Sequence, residues 1–318
     1  MNVCIMVAGL GKPQRARLRA ALRGHAVTFA ADRPEAEKRA AVAAAEIVFG
    51  NVPSAWLDIA PRLRWVQLDS AGVDAYLKIN GTRPPRAAPV QLTNLAGFFD
   101  RAVAEAALAG ILALYRQLPR LLAAQPAARW IKAEVEPAIR ALDGQRVVLL
   151  GVGAIARRLA RLLGAFDARG CFFARTPGPG TITTLRDLNA AFAKADLVIN
   201  TLPHTPATIG FLNRARLRRL KRGAVVVNVG RGSALDEAAL VALLDSGHLG
   251  GAVLDVTAIE PLPKTSPLWR HPKVLLTQHT GGRFPGEADR KIEVFLENLA
   301  RFERGETLAN RVEPARGY

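Results

Sequence analysis

Val147-Val148-Leu149-Leu150-Gly151-Val152-Gly153-Ala154-Ile155-Ala156-Arg157-Arg158-Leu159-Ala160 decides how the rest of the chain is read. A short apolar run reads as a buried strand, two glycines follow at once, and helix-forming residues come next. Gly151 permits a tight turn. Gly153 leaves room for a pyrophosphate at the helix N-terminus, where unpaired N–H groups and the helix dipole favour an anion. Ala156 stands at the third position of the glycine pattern and is small enough for close helix–strand packing. The pattern alone is weak, because any strand-to-helix turn can require glycine. Its setting strengthens it.

Working outward, strand signals recur at Arg146–Leu150, Cys171–Ala174, Leu197–Asn200, Ala224–Asn228, Ala252–Asp255 and Val274–Leu276, with helical segments between most of them. Six parallel strands in this rhythm predict a doubly wound dinucleotide-binding domain. Upstream, Val3–Val7, Ile47–Phe49, Trp65–Leu68 and Val90–Leu92 alternate with Ala-rich helices such as Ala36–Ala45, which predicts a second parallel sheet. Residues 81–89 read as a loop because of Pro84, Pro85 and Pro89. A single long helix is expected from about Phe98 to Ala123, leading from one domain to the other. The last helix, about Gly286 to Arg304, is expected to return to the first domain. The predicted class is therefore α/β, with two Rossmann/flavodoxin-like domains on parallel sheets. Residues 1–97 and 286–318 form a discontinuous first domain, expected to bind substrate. Residues 98–285 form the dinucleotide-binding domain.

At 318 residues the chain is too long for one ordinary α/β core and suits two. No stretch approaches the roughly 18 apolar residues of a membrane span, and the longest, Ala102 to Tyr115, carries Glu105. Asn2–Val7 lacks a basic leader region and a small-residue cleavage site, so it reads as a strand rather than a signal peptide. Cys4 and Cys171 lie in apolar runs with no His or Cys cluster nearby. Buried free thiols are expected, with no metal site, a reducing cytoplasmic location and no membrane partner. The 44 Lys+Arg against 27 Asp+Glu give a net charge of +17, a field that attracts anions. The basic residues are scattered, as in Arg214-Ala215-Arg216-Leu217-Arg218-Arg219, without aromatic interleaving or zinc-ligand spacing. A generally basic surface is the expectation, not specific nucleic-acid binding.

Three polar residues fall at strand ends, where open α/β sheets place their sites. Arg231 follows Val225–Asn228 in a Gly230-Arg231-Gly232 turn, Glu260 lies five residues beyond Asp255 and before Pro261, and His279 follows Val274–Leu276 and precedes Gly281-Gly282. Reducing a 2-keto acid requires a cation to hold the carboxylate and polarise the carbonyl, and an acid to protonate the alkoxide. Arginine suits the first task because its fork binds carboxylate in two places. Histidine suits the second, and a carboxylate beside it favours its protonated form. Singly each has an ordinary explanation: a surface charge, a common Glu-Pro loop pair, one histidine among five. Their joint placement after successive strands raises the functional reading.

These residues, with several further segments, resemble the D-isomer-specific 2-hydroxyacid dehydrogenases, which include glyoxylate/hydroxypyruvate reductases and phosphoglycerate dehydrogenases. The resemblance runs over nearly the whole chain: Ser70-Ala71-Gly72-Val73-Asp74, Thr93-Asn94-Leu95-Ala96-Gly97 with Ala102–Glu105, Asn228–Gly232, Leu254-Asp255-Val256 through Glu260-Pro261-Leu262, and Ser266-Pro267-Leu268-Trp269 followed by Thr277-Gln278-His279. It implies that Arg231 binds and polarises the substrate, that His279 is the acid/base, and that Glu260 supports His279. Backbone N–H groups of Ala71, Gly72 and Val73 are implied to hold the substrate carboxylate. The implied cofactor set is Gly151, Gly153, Ala154, Ile155, Ala174, Arg175, Thr176, Leu202, Pro203, Val229, Asp255, His279 and Gly281, with Asp255 near the nicotinamide carboxamide. The family's pairing through its cofactor domains implies a homodimer, as does the apolar helix from Phe98. Two departures stand out: Gln278 occupies a position usually proline, so a less rigid histidine loop is expected, and Ala156 replaces a glycine.

The cofactor is expected to be NADP in preference to NAD. A Rossmann domain that uses NAD carries an acidic residue about 20 residues beyond its glycine turn, bonded to the ribose 2′-OH. Here that position falls on Ala174, followed by Arg175 and Thr176, which suit a 2′-phosphate. Two other readings remain open. A relative acting on a formate- or phosphonate-type donor is disfavoured by Glu260, where the formate enzymes typically have Gln. A non-catalytic dinucleotide-sensing binding protein on the same fold is kept open by the +17 charge.

Overall fold

Short apolar runs without alternation become strands buried on both faces, as a parallel sheet covered by helices demands. The computed structural model describes residues 1–77 and 89–313. The chain divides into two compact units, Met1–Phe98 with Phe284–Tyr318, and Phe99–Arg283. Of the proline-rich stretch expected to be a loop, residues 81–88 lie outside the described residues.

In chain order the first unit has β1 (Asn2–Ile5), α1 (Lys12–Ala21), β2 (Ala26–Phe29), α2 (Glu35–Ala43), β3 (Ile47–Phe49), α3 (Ser54–Asp58), β4 (Trp65–Gln67) and β5 (Gln91–Thr93). The five strands run parallel in the order β2-β1-β3-β4-β5. Strand β2 was not anticipated. As an edge strand it pairs only with β1 and is only partly buried, so it needs no strongly apolar run.

The second unit has α4 (Asp100–Tyr115), α5 (Leu118–Ala124), α6 (Lys132–Val135), β6 (Arg146–Leu150), α7 (Ala154–Gly164), β7 (Arg169–Phe173), β8 (Thr181–Ile182), α8 (Leu185–Phe192), β9 (Leu197–Asn200), α9 (Arg214–Leu217), β10 (Val225–Asn228), α10 (Glu237–Asp245), β11 (Gly251–Leu254) and β12 (Val274–Leu276). The sheet has seven strands rather than the expected six, in the order β12-β11-β10-β9-β6-β7-β8. The addition, β8, is a two-residue edge strand with one partner. Alternate residues of β6 feed opposite cores: Val148 and Leu150 join one apolar cluster, Val147 and Leu149 the other. The strand order reverses between β9 and β7, on either side of β6. That switch point leaves a crevice at the carboxyl ends of β6 and β9.

The single helix expected from Phe98 to Ala123 is two helices. Continuing α4 would drive the ring of Pro119 into the carbonyl of Tyr115. The chain instead stops at Tyr115, turns through Gln117 in the left-handed region (φ 58°) and restarts at Leu118.

The final helix, α11 (Glu287–Glu303), belongs to the first unit. Phe295 stacks on Phe49 with ring centres 4.3 Å apart and on Trp65 at 5.4 Å. Asn298 donates to Gln67 Oε1 (2.9 Å) and to the Ala309 carbonyl (3.1 Å), and accepts from the Ala309 N–H (2.8 Å). Gln67 Oε1 also accepts from Thr93 (2.8 Å), whose hydroxyl takes the indole N–H of Trp65 (2.9 Å). Cys4 is buried and its thiol is pushed up to about 11 by burial. Cys171 is only half-buried, against the expectation of two buried thiols, because β7 lies one strand from the sheet edge.

Phe295→Ala removes a fully buried ring from between two aromatic partners. We expect a loss of about 3–5 kcal/mol, read as an earlier transition of the first unit in chemical denaturation.

Candidate active site

The crevice at the end of β6 begins with Gly151, whose N–H donates to Phe173 O (2.8 Å). Its φ of 99° lies in the left-handed region, and a β-carbon there would meet Thr201 Oγ1 at 2.8 Å. Only glycine fits both constraints. Thr201 is fixed in turn by its bond to Leu150 O (2.8 Å). Gly153 is the N-cap of α7 and makes no side-chain cap. A β-carbon at Gly153 would meet nothing within 4 Å, so space opens directly beyond the helix start. The N–H groups of Ala154 and Ile155, in the first turn, have no intrahelical acceptor. This donor set fits the pyrophosphate of a dinucleotide. Ala156 is fully buried against the sheet, so its methyl group is accommodated.

Ala174, Arg175 and Thr176 continue β7 beside this turn, and the N–H of Ala174 bonds Ile182 O (3.1 Å). Arg175 and Thr176 are exposed, and residues 174–183 contain no carboxylate.

Two buried asparagines that sequence reasoning missed join the next pair of strand ends. Asn200 Nδ2 donates to Asn228 Oδ1 (2.9 Å), at paired positions of β9 and β10. Asn200 Oδ1 accepts the N–H of Leu202 (3.2 Å), its carbonyl accepts that of Val229 (3.1 Å), and Asn228 Nδ2 donates to Arg231 O (3.1 Å). The available signal was an Asn closing each of two apolar runs. Pro203 O accepts from Thr208 Oγ1 (2.6 Å). Arg231 is extended (φ −139°, ψ 140°), and its guanidinium donates to Gly230 O (2.9 Å). After it, Gly232 lies so close to the next loop that a β-carbon would sit 1.9 Å from Thr257 O.

At the ends of β11 and β12 the structure brings Glu260 and His279 together. Glu260 Oε2 lies 2.7 Å from His279 Nδ1, and its Oε1 accepts the N–H of Thr257 (2.9 Å). With Nδ1 held by the carboxylate, Nε2 is the nitrogen left for chemistry. The His279 loop hangs on Asp255, which is almost fully buried. Asp255 Oδ1 accepts from Thr277 Oγ1 (2.6 Å), Thr280 N (3.1 Å) and Gly281 N (3.0 Å), and its carbonyl accepts from His279 N (2.6 Å). Gln278 and His279 both have positive φ, 53° and 56°. A prolyl ring locks φ near −65°, so the usual family residue does not fit this backbone. The loop expected to be less rigid for want of that proline is instead restrained by Asp255.

In the first unit, the Ala71 carbonyl accepts from Asn94 Nδ2 (2.7 Å) and the Gly72 carbonyl from Ser70 Oγ (2.9 Å). The N–H groups of Ala71, Gly72 and Val73 donate to no acceptor among the described residues. Among those residues, no group of three His, Cys, Asp or Glu side chains is placed to hold a metal.

A doubly wound sheet with a glycine turn, an arginine and a Glu–His pair at successive strand ends defines a dinucleotide-dependent oxidoreductase. Residues 108–281 match the family model described as D-isomer specific 2-hydroxyacid dehydrogenase, NAD binding domain. Glyoxylate/hydroxypyruvate reductase A of Salmonella paratyphi B is 40% identical over 177 residues, 54% of this chain and 56% of that protein. A D-isomer specific 2-hydroxyacid dehydrogenase from Xanthobacter autotrophicus Py2, solved with NADPH and MES, has 31% identity and a TM-score of 0.81 over 99% of each chain. An NADPH-dependent glyoxylate/hydroxypyruvate reductase from Sinorhizobium meliloti, solved with NADP and sulfate, has 27% identity and a TM-score of 0.83 over 99% of each chain. The chain belongs to the D-isomer specific 2-hydroxyacid dehydrogenase family and is an NAD(P)-dependent 2-hydroxyacid oxidoreductase.

Gln278→Pro should distort the His279 loop, lowering kcat/KM at least about 10-fold and lowering Tm. Gln278→Gly relieves a left-handed strain of about 1–2 kcal/mol and should keep near-native activity. Steady-state kinetics and thermal melts of the two variants check both outcomes.

Proposed function

We propose that the chain reduces a small 2-keto acid of the glyoxylate/hydroxypyruvate type, preferring NADPH and accepting NADH less well. The observation that carries this reading is the Glu260–His279 bond beside the Arg231 turn, at the ends of adjoining strands β10, β11 and β12. The names and bound cofactors of the Salmonella, Xanthobacter and Sinorhizobium relatives support it.

In this proposal the first unit binds substrate and the second binds the dinucleotide. The N–H groups of Ala71, Gly72 and Val73 hold the substrate carboxylate. Arg231 polarises the substrate carbonyl, placing positive charge where the alkoxide develops. His279 donates its Nε2 proton to that oxygen as the C–O double bond becomes single, leaving a neutral imidazole whose Nδ1–H stays bonded to Glu260. Because His279 is exposed, solvent restores the proton. The bound nicotinamide supplies the hydride that the carbonyl carbon accepts. Gly151, Gly153, Ala154 and Ile155 seat the pyrophosphate, Ala174, Arg175 and Thr176 flank the adenosine ribose, and Leu202, Pro203, Val229, Asp255, His279 and Gly281 complete the cofactor contacts.

Arg231→Ala should lower kcat/KM for glyoxylate or hydroxypyruvate roughly 10²–10³-fold while NADPH affinity changes little. Wild-type-like turnover in that variant overturns the role of Arg231. NADPH binding without turnover of any acid in a 2-keto acid panel overturns the enzyme reading in favour of a dinucleotide sensor.

For the cofactor, one charge-assisted contact to a 2′-phosphate corresponds to about 10- to 100-fold discrimination. We expect kcat/KM to favour NADPH by that factor with one keto acid; an equal or higher value for NADH rejects the preference.

We further propose a cytoplasmic homodimer, the basic surface drawing in anionic cofactor and substrate rather than nucleic acid. Among the described residues no helix is long and apolar enough to cross a membrane. The apolar surface expected on the long helix lies instead beyond its break: Leu122 is 63% exposed and Trp130 90%. Large apolar side chains this open fit a partner surface. Light scattering should show a dimer, and Leu122→Glu with Trp130→Glu should yield monomers; a wild-type monomer at micromolar concentration refutes the assignment.

A further inference from the structure

His204 was singled out by no motif. It follows Pro203 on the loop after β9, and its Nδ1 lies 2.7 Å from Ser233 Oγ. Ser233 is two residues beyond Arg231, on the turn that follows β10. We propose that His204 is a positioning residue for Arg231, tying the Arg231 turn to the neighbouring strand-end loop through Ser233. The inference rests on the reading of Arg231 as the substrate-binding cation.

The argument starts from how Arg231 is held. Its guanidinium donates to the carbonyl of Gly230, so the backbone of the turn helps to place the cation. Ahead of Arg231 the turn is fixed by Asn228, which accepts from Gly230 N (3.3 Å) and donates to Arg231 O (3.1 Å). Behind it, Gly232 has no side chain to anchor, and the next side chain is that of Ser233. The carbonyl of Ser233 accepts from Gly210 N (2.8 Å), which leaves the hydroxyl to find its own partner, and that partner is His204.

The loop bearing His204 is a firm support. Thr208 Oγ1 accepts from Thr205 N (2.8 Å) and donates to Pro203 O (2.6 Å), closing residues 203–208 into a tight turn. The imidazole is half-buried, so the hydrogen bond to Ser233 is partly shielded from water. Tethering the turn on both sides of Arg231 restrains a long side chain whose placement governs substrate binding.

The test is a set of variants assayed with glyoxylate, NADPH and the intact enzyme: His204→Ala, His204→Asn, Ser233→Ala, the double alanine variant, and Arg231→Ala as reference. The Asn side-chain amide carries both a donor and an acceptor, so it can replace imidazole Nδ1 in the bond to Ser233. His204→Ala and Ser233→Ala should each lower kcat/KM for glyoxylate about 5- to 10-fold, the size of one side-chain hydrogen bond, mainly through KM. The double variant should be no worse than either single one. His204→Asn should recover to within about 2-fold of wild type, and the NADPH dissociation constant, read by fluorescence, should not move. Additive losses, failure of Asn to rescue, or weakened NADPH binding in His204→Ala overturn the proposal. A defective Arg231→Ala beside a wild-type-like His204→Ala overturns it alone. An active Arg231→Ala overturns the reading of Arg231 and this inference together.

Discussion

The second unit depends on one buried carboxylate. Asp255 leaves the end of β11 and takes three hydrogen bonds on a single oxygen, while its carbonyl takes a fourth from His279. A carboxylate accepts several donors without needing to give one, so it can gather a loop whose own backbone groups point one way. The loop it gathers has two consecutive non-glycine residues in the left-handed region. Such a conformation persists only where surrounding contacts over-determine it. Asp255 supplies those contacts, and Glu260 then fixes the orientation of the imaginable rotamers of His279 to the one with Nδ1 on its carboxylate.

The same economy of parts governs the neighbouring strand ends. Asn200 and Asn228 bond to each other within the sheet and also to the first residues beyond it, so the loops leave their strands in defined directions. Close backbone packing does the rest: Gly151 is held against Thr201, and Gly232 against Thr257. Each loop therefore rests on its neighbour, and the parallel sheet acts as a rigid base for all of them. The first unit uses another device, a chain of buried polar groups from Trp65 through Thr93 and Gln67 to Asn298, which every member satisfies within the fold.

Much of this architecture was legible in the residues. Interior parallel strands are buried on both faces, so their apolar runs stood out, and β3, β6 and β9 occupy the segments read from them; the edge strand β12 was legible too, through its unbroken Val274-Leu275-Leu276 run. The Gly151 turn was equally legible, because its constraint is local: a positive φ and a side chain's absence. Strands β2 and β8 escaped because each is an edge strand with weaker demands on composition and neither carries an unbroken apolar run: Thr28 interrupts β2, and β8 is only Thr181-Ile182. The break in the long helix was written in Pro119, but the apolar composition of both halves masked it.

What the sequence by itself determined was the class of fold and the residue types at its strand ends, since both follow from periodicity and short-range steric rules. Only the tertiary structure decided which polar groups meet. Glu260 and His279 are 19 residues apart, Asn200 and Asn228 are 28, and Gln67 and Asn298 are 231. Those pairings arise from strand order and register, and for Asn298 from the packing of α11 on the first sheet, which bring distant residues into hydrogen-bond range without leaving a local pattern. The role of Asp255 as anchor of the histidine loop was hidden for the same reason: its donors lie on the far side of a crossover connection and are fixed only when β11 and β12 pair.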